Sequence, residues 1–215
     1  MTQDSGRRPI ASRNTKWAAH VTDRLVQLRV APNHISVASL IAALLSGAAF
    51  ALSPATGPGW GAALLVLGAA LCQLRLLCNL FDGLVAVEGG LGTPDGAFWN
   101  EIPDRLSDLL ILAGFGMAAG APALGLLAAA LAILTAYLRE FGRASGFEPD
   151  FSGPGAKSHR MAVVIAGALL QAGALIAGSG WPVASWALWL VVLLAGLTGA
   201  RRSLHVLRGL RDRAG

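Results

Sequence analysis

Apolar residues in this chain gather into six long runs, at 34–52, 60–80, 104–119, 124–138, 161–177 and 183–200, with charge confined mostly to their ends. Each run approaches the roughly 20 residues that a helix needs to cross a hydrocarbon core of ~30 Å. The fourth is the shortest and needs its flanks to complete a span. The pattern predicts an all-α polytopic membrane protein, a bundle of six transmembrane helices. Small-residue clusters such as 47–49 and 128–130 predict close helix packing. The connections are of two kinds. Those at 53–59, 120–123 and 178–182 are short and carry no charge, whereas 88–97 and 144–158 are longer and charged.

The polar first 33 residues contain a different period. Trp17, Val21, Leu25 and Leu28 recur at helical spacing, while Lys16, His20, Arg24 and Arg29 fall on other faces, which predicts an N-terminal amphipathic helix lying in the headgroup layer. The segment is too long and too charged for a signal peptide, so no cleavage is expected. The expected organisation is an N-terminal segment (1–33), a six-helix membrane domain (34–200) and a basic tail (201–215).

Composition sharpens this picture. At 54% hydrophobic and 13% charged, the 215 residues do not suit an ordinary soluble domain. Fifteen of the 17 Lys and Arg residues fall in the leader, the tail or the connection between the fourth and fifth runs, and the other two, Arg75 inside the second run and Arg105 at the start of the third, flank the connection between those runs. That asymmetry predicts an inner-membrane protein with both termini and the charged loops cytoplasmic. A net charge of +5 is then a basic face beside anionic lipid, and no nucleic-acid partner is expected. Cys72 and Cys78, six apart on different helix faces, read as packing residues.

Ionisable residues within apolar runs are costly and read as functional by default. They concentrate where the second run ends, Asn79-Leu-Phe-Asp82-Gly83-Leu-Val-Ala86, and where the third begins, Gly96-Ala-Phe-Trp-Asn100-Glu101-Ile-Pro-Asp104-Arg105-Leu-Ser-Asp108. Asn79 and Asp82 share one helix face; Asn100, Asp104 and Asp108 share another. If the two helices are neighbours, their oxygens converge into a site suited to Mg²⁺ or Mn²⁺, ions that commonly serve phosphoryl chemistry. A second polar cluster, Tyr137-Leu-Arg139-Glu-Phe-Gly-Arg143 and Gly153-Pro-Gly-Ala-Lys157-Ser-His159-Arg160, lies on the same expected face. Its cations suit anionic oxygens.

These residues resemble the signature of the CDP-alcohol phosphotransferases, D-x-x-D-G-x-x-A-R-x8-G-x3-D-x3-D. The four acidic positions fall on Asn79, Asp82, Asn100 and Asp104, the glycines on Gly83 and Gly96, the alanine on Ala86 and the arginine on Val87. Two aspartates are therefore asparagine and the arginine is valine, a variant wording within that family. Pro32-Asn33-His-Ile-Ser36 opens the first run as family members often do. The resemblance implies transfer of the phosphatidyl group of CDP-diacylglycerol to an alcohol, with release of CMP. It implies metal held by Asn79, Asp82, Asn100 and Asp104, with Glu101 and Asp108 as substitutes for the missing carboxylates, and Asp104 as general base. Asp82, Gly83, Ala86 and Gly96 would contact the CDP group, with Arg75 or Arg105 replacing the lost arginine. Arg139, Arg143, Lys157, His159 and Arg160 would bind the acceptor or phosphate, and a homodimer is expected. A catalytically silent scaffold and a small-solute transporter are the competing readings, separated from the enzyme by donor-dependent CMP release.

Overall fold

A computed structural model describes residues 15–213, so the leader arginines Arg7, Arg8 and Arg13 lie outside the described residues. The regular elements described are α1 (Lys16–Gln27), α2 (Pro32–Leu52), α3 (Pro58–Val87), α4 (Gly96–Ala118), α5 (Pro122–Ala144), α6 (Lys157–Ile176) and α7 (Val183–Asp212), with a short 3-10 turn, Ser53–Ala55, after α2. Proline opens α2, α3 and α5, where its missing N–H is not needed and its fixed φ already suits the helix. At the end of α4, Gly120 adopts φ +64, and the amides of Gly120 and Ala121 donate to the carbonyls of Met117 and Gly116 at 3.0 and 2.9 Å. That closure satisfies the last carbonyls and needs a left-handed residue.

The helices outrun the apolar runs that announced them. α3 continues past residue 80 to Val87, α4 begins at Gly96 instead of residue 104, and α7 extends through the basic tail to Asp212. Hydropathy marks where a helix meets lipid, and backbone hydrogen bonding carries it further. α5 reaches 23 residues because its flanks join it. Five helices (α2, α3, α5, α6 and α7) are long and apolar enough to cross a bilayer. α4 is long enough, but Glu101, Asp104, Arg105 and Asp108 crowd its first 13 residues. The chain is a multi-pass membrane protein.

Packing closes six helices into a ring in the order α2, α3, α6, α7, α5, α4, with α4 back against α2. The core between them is built from Phe50, Leu65, Ile111, Leu112, Phe115, Met161, Val164 and Leu188, with the Phe50 and Phe115 rings 5.2 Å apart. Close approach depends on absent side chains: a methyl on Gly114 of α4 would collide with the backbone of Gly47 on α2. Outward-facing leucines such as Leu170, Leu193 and Leu197 are exposed, as expected for lipid contact. Trp60, Trp181 and Trp186, also exposed, sit at one end of the ring like an interfacial aromatic belt.

α1 is a helix, but its apolar face differs from the expected stripe. Ala18, Val21 and Leu25 pack with Leu80, Phe81, Leu84 and Val85 of α3, and Trp17 meets Phe81 edge-on at 5.6 Å. Leu28 lies just beyond the helix and is 74% exposed. The buried face is therefore centred on Ala18 because a small residue lets α1 sit close to α3.

Candidate active site

All six ring helices contribute to one pocket of about 460 Å³ at the end of the ring opposite the tryptophans. The start of α2 supplies Asn33 and Ser36. The end of α3 supplies Asn79, Asp82, Gly83 and Ala86, and the start of α4 supplies Gly96, Asn100, Glu101, Asp104 and Arg105. α5 adds Arg139 and Arg143, α6 adds Lys157 and Arg160, and α7 adds Arg202. Successive helices run antiparallel, so residues far apart in sequence converge at one rim.

Asp82 is the best-placed carboxylate for a ligand. It is 5% exposed, and its Oδ2 accepts a 2.9 Å hydrogen bond from Ser36. Its Oδ1 has no partner among the described residues. A buried carboxylate oxygen left unpaired is expensive unless a cation or donor completes it. Beside it, a methyl on Gly83 would meet nothing within 4 Å, and one on Gly96 only the Thr93 hydroxyl, at 3.7 Å. The protein itself does not require glycine at position 83, so the space is available to a ligand.

Asp104 is held from two sides. Arg75 donates to its Oδ1 at 3.1 Å, Lys157 donates to its Oδ2, and Arg105 stands 3.9 Å from Oδ2. Lys157 also donates to the Asn79 side-chain oxygen, Oδ1. Below the pocket, Asp108 joins two buried guanidiniums, Arg75 at 3.2 Å and Arg160 at 2.7 Å. Arg160 continues to the Gly155 carbonyl at 2.5 Å and the Thr135 hydroxyl at 3.3 Å. This alternation of charges lets ionisable groups sit inside an otherwise apolar bundle.

At the rim, Glu101 accepts from Arg105 at 2.8 Å and Arg139 at 2.6 Å, and the Arg139 guanidinium lies 5.5 Å from the centre of the Phe151 ring. Asn33 of α2 reaches Thr93 at 3.3 Å and Asp95 at 3.5 Å, tying the α3–α4 loop to the mouth. Hydrogen bonds from Thr93 and from the Trp99 indole hold the Asp95 carboxyl below the usual carboxylate range.

Most residues singled out in the sequence meet here, and three do not. Arg75 and Asp108 lie beneath the pocket floor as structural ion pairs. His159 points away, its ring Nδ1 hydrogen-bonded to the Pro154 carbonyl at 2.9 Å. The reason is local: Asp108 lies one turn deeper than Asp104 on α4, level with Arg75 and Arg160. Among the described residues, no three His, Cys, Asp or Glu side chains gather as a metal-holding group, since Glu101 and Asp108 are turned to arginines. The fit for a divalent ion therefore rests on Asp82, with its orphaned oxygen, and on the side-chain carbonyl of Asn100 in the same lining, since that of Asn79 is taken by Lys157. Those residues fit one hard cation. Ser36, Thr135, Phe151 and Arg202 were not among the candidates. Ser36 had a signal, as a hydroxyl one turn into a helix opened by Pro32-Asn33. Arg202 donates to the carbonyls of Thr135 at 2.6 Å and Ser152 at 3.1 Å, pinning the α5–α6 loop.

Substituting Gly83 with alanine separates fold from function. Alanine favours a helix over glycine by about 1 kcal/mol, and nothing in the protein obstructs the new methyl. The variant is expected to melt at or above the wild-type temperature while losing affinity for a ligand that uses this space. Parallel thermal unfolding and ligand titration check it.

Comparison with known proteins places this fold. No protein-family profile matches the chain. The bifunctional IPC transferase and DIPP synthase of Rubrobacter xylanophilus is 34% identical over 163 residues, which is 73% of this chain but 35% of that protein. The chain thus spans about a third of that relative's length. Among solved structures, the Mycobacterium tuberculosis phosphatidylinositol phosphate synthase in complex with manganese and citrate superposes with a TM-score of 0.70 at 21% identity, covering 87% of each chain. The same enzyme with CDP-DAG bound gives 0.70 at 22% identity, covering 87% of this chain and 92% of that one. At that level of identity, what the chain shares with these two structures is their fold.

Proposed function

We propose that this chain is a CDP-alcohol phosphotransferase that moves the phosphatidyl group of CDP-diacylglycerol to an alcohol and releases CMP. The observation that carries the reading is that Asn79, Asp82, Gly83, Gly96, Asn100 and Asp104, the positions matching that signature, line one pocket around an unpaired carboxylate oxygen. The manganese and CDP-DAG complexes of the structural neighbour support it by analogy of fold.

In this reading the pocket floor at Gly83 and Gly96 accepts the nucleotide diphosphate without steric conflict. A divalent ion at Asp82, Mg²⁺ or Mn²⁺, would offset diphosphate charge when bound. The acceptor's hydroxyl oxygen attacks the phosphorus that carries the diacylglycerol. The bond from that phosphorus to the bridging oxygen breaks, CMP leaves with the electron pair, and the acceptor proton passes to Asp104. Arg75 orients that carboxylate from below. Arg139, Arg143 and Arg160 favour an acceptor that itself carries phosphate. α4 acts as the sixth span, its charges neutralised by neighbouring helices, and α1 rests at the headgroup layer. The pocket faces the cytoplasm of an inner-membrane protein, because the Lys and Arg residues collect at its end of the ring.

CMP release by the purified protein given CDP-diacylglycerol, with and without Mg²⁺ or Mn²⁺ and across small alcohols and their phosphates, tests this. Metal-stimulated release that depends on one acceptor is the expected result. Donor binding without release under any acceptor would favour a silent scaffold, and neither binding nor release would remove the reading.

A further inference from the structure

Lys157 occupies an odd place for a lysine. It is the first residue of α6, where the helix dipole presents positive charge and no acidic residue stands in the first turn. Its side chain is 19% exposed, yet its ammonium is turned between the Asn79 carbonyl and Asp104 Oδ2, oxygens from two other helices. Those oxygens are among the ones a metal ion in this pocket would use. Asp82, in contrast, keeps a buried oxygen with no partner.

We propose that the Lys157 ammonium is a built-in cation that takes the Asn79–Asp104 position, so that the pocket admits one divalent ion, at Asp82, and not a second. This deepens the transferase reading and rests on it for its catalytic meaning. The physical case is electrostatic and steric. An ion at Asn79 and Asp104 would have to displace Lys157, and Asp104 already faces Arg75 and Arg105. Asp82, Asp104 and Lys157 together carry a single net negative charge, which one divalent ion already overcompensates. Asparagine at 79 suits this arrangement because its carbonyl accepts from an ammonium yet adds no charge to attract a second ion. Lys157 thereby contributes permanently part of the positive charge that a diphosphate requires.

Two measurements test it, and neither uses turnover. Bound Mn²⁺ is counted by titration of the purified protein, followed by the electron paramagnetic resonance of free Mn²⁺. Wild type is expected to hold one ion per chain, and the double variant Lys157→Met with Asn79→Asp to hold one more. Two ions in wild type, none, or no gain in the double variant overturns the proposal. The second measurement avoids any folding risk at the site. Lys16 and Lys157 are the two lysines of the sequence, so in a Lys16→Arg background an amine-reactive label, read by mass spectrometry on the peptide that carries residue 157 to separate it from the N-terminal amine, reports Lys157. Saturating Mn²⁺ is expected to leave that labelling rate unchanged, and a several-fold rise would mean that the metal evicts the lysine, which overturns the proposal. A protein that passes both tests yet releases no CMP sinks the transferase reading and leaves the built-in cation standing.

Discussion

Asp108→Ala is expected to destabilise the detergent-solubilised protein by about 3–5 kcal/mol, the range for removing one partner of a buried ion pair. Asp108 is fully buried and bridges Arg75 and Arg160, themselves 0% and 2% exposed. Arg75 already has Nε and Nη1 without partners among the described residues, so it has little else to fall back on. Without the carboxylate, Arg75 keeps only Asp104, and Arg160 keeps only the Gly155 carbonyl and the Thr135 hydroxyl, in an otherwise apolar core. Asp108→Asn keeps the shape and a carbonyl acceptor, and its cost is expected nearer 1.5–3 kcal/mol, roughly that of a hydrogen bond to a charged group. Glu140→Ala removes only rim pairs, with Arg139 at 2.9 Å and Arg143 at 3.5 Å, and is expected to cost less than about 1 kcal/mol. Unfolding midpoints for the three variants check the order. A wild-type midpoint for Asp108→Ala would show that the bundle does not depend on this triad.

Much of this architecture was legible because lipid imposes a simple pattern. The apolar runs named the helices of the ring, and the spacing of Asn79, Asp82, Asn100 and Asp104 named the pocket lining. What the sequence concealed was adjacency. Spacing makes the end of the second run converge with the start of the third only if their helices are neighbours; α3 and α4 touch slightly, α2 packs extensively on both, and Ser36 on α2 is what reaches Asp82. Lys157 meets Asn79 from 78 positions away, a contact created by α6 packing beside α3. Such neighbours depend on which small-residue faces fit together, and local periodicity carries no information about that choice. Arg75 was more readable than its assignment to a diphosphate contact suggested. An arginine in the middle of an apolar run must find anions, and Asp104 and Asp108, one turn apart, offered a matching pair. Glu101 and Asp108 looked like spare metal ligands because spacing alone does not reveal that arginines already claim them.

Asp104→Asn is expected to lower kcat/KM for phosphatidyl transfer by about 10³-fold, within the range for loss of a general base, while leaving the helical fold in place. An amide presents one acceptor and one donor where the carboxylate presents two acceptors. Arg75 on one side and Lys157 on the other both donate. Whichever way the amide turns, an N–H faces a cation, so both proton acceptance and the alignment of Lys157 suffer. Asp104→Glu separates the two contributions, since it restores the charge but moves it by one methylene. If the carboxylate acts by accepting the acceptor's proton, Glu should remain slow although Mn²⁺ and donor binding recover, because proton transfer needs hydrogen-bond reach of the attacking hydroxyl. If the carboxylate serves only to balance Arg75 and Lys157, Glu should restore turnover along with binding. Single-turnover CMP release at saturating donor, measured for both variants, decides between them, and wild-type rates in Asp104→Asn would remove Asp104 from the chemistry altogether.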